Sequence, residues 1–191
     1  MLDKNYWNNR WQAGDTGWDI GYAAPALTGY AGQLKDKNIS ILIPGCGNAY
    51  EAEHLLENGF MNITLLDISP EVVEAMRKRF AGKNISIICG DFFTHETQYD
   101  LILEQTFFCA LVPEQRSAYV RKAASLLKEN GKIAGVLFNR VFDKEGPPFG
   151  GDTEEYKTLF EPWFNILKME TCYNSIPPRE GNEVFIIFQK K

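Results

Sequence analysis

The stretch Ile39-Ser40-Ile41-Leu42-Ile43-Pro44-Gly45-Cys46-Gly47-Asn48-Ala49 decides how this chain folds. Its first five residues form a short, largely apolar run stopped by Pro44-Gly45, the pattern of a strand buried on both faces of a parallel sheet. Helical spacing follows, with Ala52, Leu55 and Leu56 on one face and Gly59 as the stop. A strand, a glycine turn and a helix in that order begin a βαβ unit. Gly45 and Gly47 let the backbone turn tightly into the helix and pass close to a ligand.

The same alternation runs outward. Residues 63–66 read as a second strand, and Ser69-Pro70-Glu71 starts a helix with a capping hydroxyl, a first-turn proline and an early acid. Val72, Val73, Met76 and Phe80 form its inner face, and Gly82 closes it. Residues 85–89, 99–103 and 133–138 give three more strands. Pro113-Glu114 opens a helix with Val120, Ala123, Ala124 and Leu127 inside and Asn130-Gly131 as its stop. Asp152 with Glu155 resembles a capping box and opens a short helix to about Phe160. Residues 163–172 and 183–188 form a last pair of strands across the loop 176–181. The pattern predicts one domain over residues 1–191, α/β in class. Its sheet is doubly wound, mostly parallel and seven-stranded, and ends in an antiparallel hairpin. Two irregular stretches, 1–33 and 140–151, are rich in Gly, Pro and aromatics and suited to covering a site.

Asp67 stands at the end of the second strand, where a carboxylate can accept hydrogen bonds from both ribose hydroxyls. A dinucleotide fingerprint needs a third glycine three residues past Gly47, but this chain has Tyr50 there. Such bulk obstructs the close helix approach, so a single adenosine-type ligand fits better than NAD. The plainer alternative is that Gly45 and Gly47 only make a turn and Asp67 only caps a helix. After the third strand, Asp91 can meet an adenine amino group while Phe92 packs on the ring; otherwise this is an ordinary acidic turn. Glu104 ends the fourth strand beside the expected reversal of strand order. A carboxylate there can face the crevice and hold a cationic amino group, or simply be solvated.

Several blocks in order then resemble a known family: Trp7-x-x-x-Trp11-x-x-Gly14-x-Thr16-Gly17-Trp18-Asp19, Pro44-Gly45-Cys46-Gly47 and Phe107-Phe108-Cys109-Ala110-Leu111. Pro113-Glu114-x-Arg116, Gly146-Pro147-Pro148-Phe149 and Ser175-Ile176-Pro177-Pro178-Arg179-x-Gly181 continue the match. Together they resemble the thiopurine S-methyltransferase superfamily, nearest its thiol and halide/thiocyanate branch, over nearly the whole chain. The resemblance implies a Rossmann-like class I methyltransferase with an N-terminal helical cover over residues 1–33. It implies S-adenosylmethionine as cofactor and S-adenosylhomocysteine as product. Trp7, Trp11 and Trp18 would sit in the cover, where aromatic faces attract a sulfonium. Gly45, Gly47, Asp67, Asp91, Phe92 and Glu104 would line the cofactor. The sequence departs from the family in two places: Glu104 stands where Asp is expected, and Phe138 lies where plant halide methyltransferases carry a tyrosine nearby.

The acceptor expected from this resemblance is a small soft nucleophile: a thiol, thiocyanate, halide or thiopurine. Phe107, Phe108, Phe138 and Phe149 are the candidate apolar wall, and Arg140 and Arg179 the candidate counter-charges at its mouth. No catalytic base is assigned. His54 falls on the first crossover helix and His95 in a polar loop, and no metal-ligand set stands out. Net charge is −5, from 20 basic and 25 acidic residues, which disfavours nucleic acid as partner. From residue 104 the chain reads Glu-Gln-Thr-Phe-Phe, not the Asn/Asp-Pro-Pro-aromatic element of nucleic-acid N-methyltransferases. Cys46, Cys89, Cys109 and Cys172 form no C-x-x-C pair and read as free thiols of a reducing compartment. Residues 1–7 carry no apolar signal core and no stretch approaches a membrane span, so a cytoplasmic monomer or weak dimer is expected. The competing readings are a non-catalytic cofactor-binding sensor, a methyltransferase for another small acceptor, and a nicotinamide oxidoreductase.

Overall fold

The computed structural model describes residues 2–191. Seven strands, β1 (Ser40–Pro44), β2 (Asn62–Asp67), β3 (Ser86–Cys89), β4 (Tyr99–Gln105), β5 (Leu127–Phe138), β6 (Phe164–Thr171) and β7 (Glu183–Lys190), form one sheet in the order β3-β2-β1-β4-β5-β7-β6. The first five run parallel, and β7 inserts antiparallel between β5 and β6. The helices are α1 (Lys4–Gln12), α2 (Pro25–Ala31), α3 (Tyr50–Glu57), α4 (Pro70–Arg79), α5 (Arg116–Ser125) and α6 (Thr153–Phe160). This is the doubly wound, mostly parallel seven-stranded α/β sheet with a C-terminal antiparallel hairpin that the sequence predicts.

Strand alternation builds two apolar layers. Ile41, Ile43, Leu101, Leu103 and Ala134 face the layer shared with Leu27 of α2, Leu55 of α3 and Val72 of α4. Leu42, Ile102 and Ile133 face the layer of Tyr119 and Val120 of α5 and Phe160 of α6. The caps behave as read. Ser69 Oγ accepts from Val72 N–H at 3.4 Å, and Asp152 Oδ1 accepts from Glu154 and Glu155 N–H at 2.9 Å each. Glu155 does not close a capping box; its carboxylate pairs instead with the buried guanidinium of Arg116 at 2.6 Å.

Two boundaries differ from the reading of the sequence. Helix α5 stops at Ser125, and Leu127 is the first residue of β5, paired with Tyr99. Asn130, at φ +61°, makes a turn inside β5 before pairing resumes between Leu101 and Lys132. Asn-Gly therefore turns a strand here, where it reads as a helix stop. At the N-terminus, the described residues 2–33 are not one cover, and Met1 of the expected cover lies outside the described residues. Helix α2 buries Ala26, Leu27, Tyr30 and Ala31 and packs on α3 and β5, so it belongs to the core. Its small residues and missing side-chain cap leave a weak helical signature. Helix α1 buries no residue and is the element that lies over the sheet edge. All four cysteines are free thiols; Cys89 is exposed and the other three are buried.

Gly135 pairs with Glu104 across β4 and β5, and a Cβ at 135 would overlap the Glu104 carbonyl oxygen and its Cβ. Gly135→Ala is therefore expected to destabilise the fold by about 1–3 kcal/mol, as overpacking does. The urea midpoint checks this, and an unchanged midpoint would contradict the close approach.

Candidate active site

The carboxyl ends of β1, β2, β4 and β5, together with the start of β7, meet along one edge of the sheet. Strand order reverses between β1 and β4 at that edge, which is where open α/β sheets bind ligands. A cleft of about 790 Å³ opens there.

Its floor is the turn from β1 into α3. Gly45, Gly47 and Ala49 all have left-handed backbone, at φ +57°, +50° and +50°. Glycine at 45 is required twice, because a Cβ there would also lie 2.5 Å from Phe107 Cδ2. A Cβ at Gly47 would lie 3.3 Å from the Trp11 ring. Asp67 lies beside this turn, 7% exposed, and accepts N–H bonds from Gly47 at 3.2 Å and Ser69 at 2.9 Å. Burial outweighs those bonds and pushes its carboxyl up to about 6. Asp91 accepts the Phe93 N–H at 2.9 Å, and the buried Phe92 ring stacks on Tyr119 at 5.2 Å. Asp91 and Phe92 both line the cleft.

The roof is α1 and the segment after it. Trp18 meets Trp7 and Trp11 edge to face at 5.7 and 5.8 Å, and the Arg10 guanidinium lies 4.5 Å from the Trp18 ring while pairing with Asp15. Asn8 pins the helix: its Oδ1 accepts from Ser69 O–H at 2.9 Å and Glu71 N–H at 3.1 Å. Asp19 accepts from the Asn48 amide and from Tyr50 O–H at 3.3 Å. The tyrosine that replaces a fingerprint glycine thus helps to fasten the roof. Asp19 and Asn48 fall inside quoted motifs, but no role could be read for them or for Asn8 and Arg10, because pins between distant segments leave no local pattern.

The far end is apolar. Phe107 and Phe138 line it, joined by Phe142, whose ring meets Phe138 at 5.0 Å. Arg140 stacks on Phe142 at 4.8 Å. Arg179 donates to the Trp18 carbonyl at 3.0 Å and pairs with the buried Glu183 at 3.5 Å, so it ties roof to wall as well as reaching the cleft. Gln105 also lines the cleft, and its Oε1 has no hydrogen-bond partner among the described residues.

Three expected residues stand elsewhere. Phe108 is 1% exposed and packs on Tyr119, Tyr156 and Phe160 in the core. Phe149 does not line the cleft; its backbone N–H donates to the Cys109 carbonyl at 2.7 Å. Glu104 does not face the crevice. Strand alternation sends it, with Ile102, into the α5 layer and gives the cleft to Gln105. Its Oε1 accepts from Phe107 and Phe108 N–H at 2.9 Å each, and its Oε2 accepts from Tyr119 O–H at 2.9 Å. Burial still drives this carboxyl up to about 7. Neither His54 nor His95 lines the cleft.

This sheet order, the glycine turn after β1 and the acid that ends β2 define a class I S-adenosylmethionine-dependent methyltransferase fold. The thiopurine S-methyltransferase family model matches residues 2–190, and the chain belongs to that family. It is 31% identical over 184 residues to a probable thiol methyltransferase 2 of Arabidopsis thaliana, covering 93% of this chain and 81% of the relative. Thiocyanate methyltransferase 1 of Brassica oleracea is 26% identical over 189 residues, covering 95% and 83%. Among solved structures, the 1,6-didemethyltoxoflavin-N1-methyltransferase of Burkholderia thailandensis, with bound 1,6-didemethyltoxoflavin and S-adenosylhomocysteine, superposes with a TM-score of 0.76. It shares 15% identity over 98% of this chain and 87% of that one.

The two raised carboxyls make stability depend on pH. Glu104 keeps its proton in the fold to about pH 7, against 4.5 for a free side chain. Its contribution is fully present below pH 4.5 and is lost as pH rises through 7, on the order of 3 kcal/mol. Glu104→Gln cannot ionise and is expected to lose less stability than wild type between pH 5 and 8, read by urea unfolding. Parallel pH dependences would refute the shift.

Proposed function

We propose that this methyltransferase transfers the methyl group to a small soft nucleophile: a thiol, hydrosulfide, thiocyanate or halide, with thiopurines in the same chemical class. The observation that carries the reading is the aromatic end of the cleft, walled by Phe107, Phe138 and Phe142, with no histidine among its described lining residues. Such a wall strips water from an acceptor, which a soft polarisable anion tolerates far better than a hard alkoxide. An acceptor that enters already ionised needs no protein base. Arg140 and Arg179 supply positive charge at the mouth. The thiol and thiocyanate methyltransferases among its relatives support the same class of acceptor.

The cofactor's fit rests on the floor. The left-handed Gly45–Gly47 turn lines the cleft, and Asp67 has its carboxylate beside it. In this reading Asp67 holds the ribose, Asp91 and Phe92 the adenine, and the Gly45–Gly47 turn the methionine end. Trp7, Trp11 and Trp18 close over them as a cover that orders when the site is filled. S-adenosylmethionine, when bound, supplies a methyl group on a sulfonium; the protein aligns the acceptor with it and excludes water. No described helix is long and apolar enough to cross a membrane. With four free cysteines and a net charge of −5, we place the protein in the cytoplasm, as a monomer or weak dimer acting without nucleic acid.

Ribose hydroxyls donate to the ionised form of Asp67, so protonation competes with binding. Affinity for S-adenosylhomocysteine is expected to fall below pH 6, approaching roughly tenfold per pH unit. Asp67→Asn should remove that dependence and cost about 1.5–3 kcal/mol at neutral pH. Calorimetry across pH decides it, and a pH-independent wild type would sink the assignment.

Without a protein base, the rate should track the thiolate fraction of the acceptor across thiols of different pKa. A labelled-methyl assay on a panel of thiols, thiocyanate, iodide, phenols and amines tests this. Faster turnover of phenols or amines would overturn the acceptor class and leave the cofactor assignment standing.

A further inference from the structure

We propose that Glu104 is a positioning residue for methyl transfer: buried beneath the cleft, its carboxylate fixes the turn that sets Phe107 against Gly45, between the cofactor's floor and the acceptor's wall. This rests on reading the aromatic end of the cleft as the acceptor pocket.

The turn at residues 106–108 is not one the chain adopts unaided. Thr106 is β-branched and sits at φ +60°, where only glycine is at ease. A backbone of that kind persists only where its surroundings over-determine it. Glu104 supplies that determination. One oxygen takes the N–H groups of both Phe107 and Phe108, and the other takes the Tyr119 hydroxyl, each at 2.9 Å. Across the sheet, the absence of a side chain at Gly135 leaves space for Glu104.

The turn in turn shapes both ends of the cleft. The Phe107 ring lies where a Cβ on Gly45 would fall, and packs on Phe92 at 5.2 Å. Just beyond, the Cys109 carbonyl accepts the Phe149 N–H at 2.7 Å and so anchors the 140–151 segment, which carries Arg140 and Phe142 to the acceptor end. Glu104 touches neither reactant and exchanges no proton with them. It acts through Phe107.

Chain length at 104 sets what each substitution does. Asp is one methylene short of both N–H groups. Gln keeps an oxygen for them and offers its amide N–H to the Tyr119 oxygen. Acceptor kinetics at saturating S-adenosylmethionine, with thiocyanate and thiophenol, should therefore separate the variants. In Glu104→Asp and Glu104→Ala, kcat/KM should fall on the order of tenfold or more, the scale of a displaced positioning group. Glu104→Gln should restore it to within about threefold of wild type. Calorimetric Kd for S-adenosylhomocysteine should move less than kcat/KM in the Asp and Ala variants, because Asp67, Asp91 and Phe92 are not held by the turn, and should stay within about threefold in Gln. Amide hydrogen exchange over residues 106–110 should quicken in the Asp and Ala variants but not in Gln.

Unchanged exchange in folded Asp or Ala variants overturns the proposal, and so do wild-type acceptor kinetics. A tenfold loss of S-adenosylhomocysteine affinity with acceptor kinetics kept would move Glu104 to the cofactor's side. If Glu104→Ala does not fold, Tyr119→Phe removes one of the three bonds and should quicken the same amides. Should wild type methylate neither acceptor, the acceptor reading fails on wild type alone. The exchange and Kd measurements then still decide whether Glu104 holds the turn.

Discussion

Strands β1 and β4 are parallel neighbours, but their connections leave toward opposite edges of the sheet. They pair directly only through Ile41–Leu101 and Leu42–Ile102. Beyond those pairs the chain turns away on both sides, from β1 into the Gly45–Gly47 turn and from β4 into the 106–110 turn. The crevice between them is forced by topology, since no crossover passes above it. Every feature of the site answers to that gap. The glycine turn enters it from one side and Phe107 from the other, and they meet at Gly45.

Filling such a gap with polar groups is expensive, and the chain handles its carboxylates in two ways. Asp67 and Glu104 are both nearly inaccessible, and burial raises both, to about 6 and about 7. Their donor sets differ. Asp67 takes two backbone N–H groups and still borders the cleft, so it keeps acceptor capacity for a ligand. Both oxygens of Glu104 are taken by groups of its own chain, and it borders only protein. One acid is therefore poised to bind and the other to hold, a distinction that comes from which side of a strand each occupies.

That distinction also marks how far the sequence can be read. Residue order and spacing gave away the sheet, the glycine turn and the position of Asp67 at the end of β2, because each is a local pattern of strand, breaker and acid. They misplaced Glu104 because a strand end has two faces. Alternation would have assigned them, since Ile102 and Glu104 share one side and Leu103 and Gln105 the other. Helix α2 was missed because Ala and Gly write a faint amphipathic signal. Asn130-Gly131 was misjudged because the same dipeptide ends helices and turns strands. Asn8, Asp19 and Arg179 were beyond reach in their structural roles, since each joins segments far apart in the chain.

The roof shows why those long-range joins matter. Helix α1 has nine residues, none of them buried, and a helix that short has little stability of its own. It is held by Trp11, which packs against the core beside Gly47, and by polar pins at its rim. Asn8 bonds Ser69, Ser69 bonds Asp67, and Arg179 bonds the Trp18 carbonyl. The pin at Asn8 ends on the residue whose N–H steadies the Asp67 carboxylate, so the roof and the acid share one hydrogen-bonded chain. Ser69 thus joins the roof to the floor, through its hydroxyl on one side and its N–H on the other.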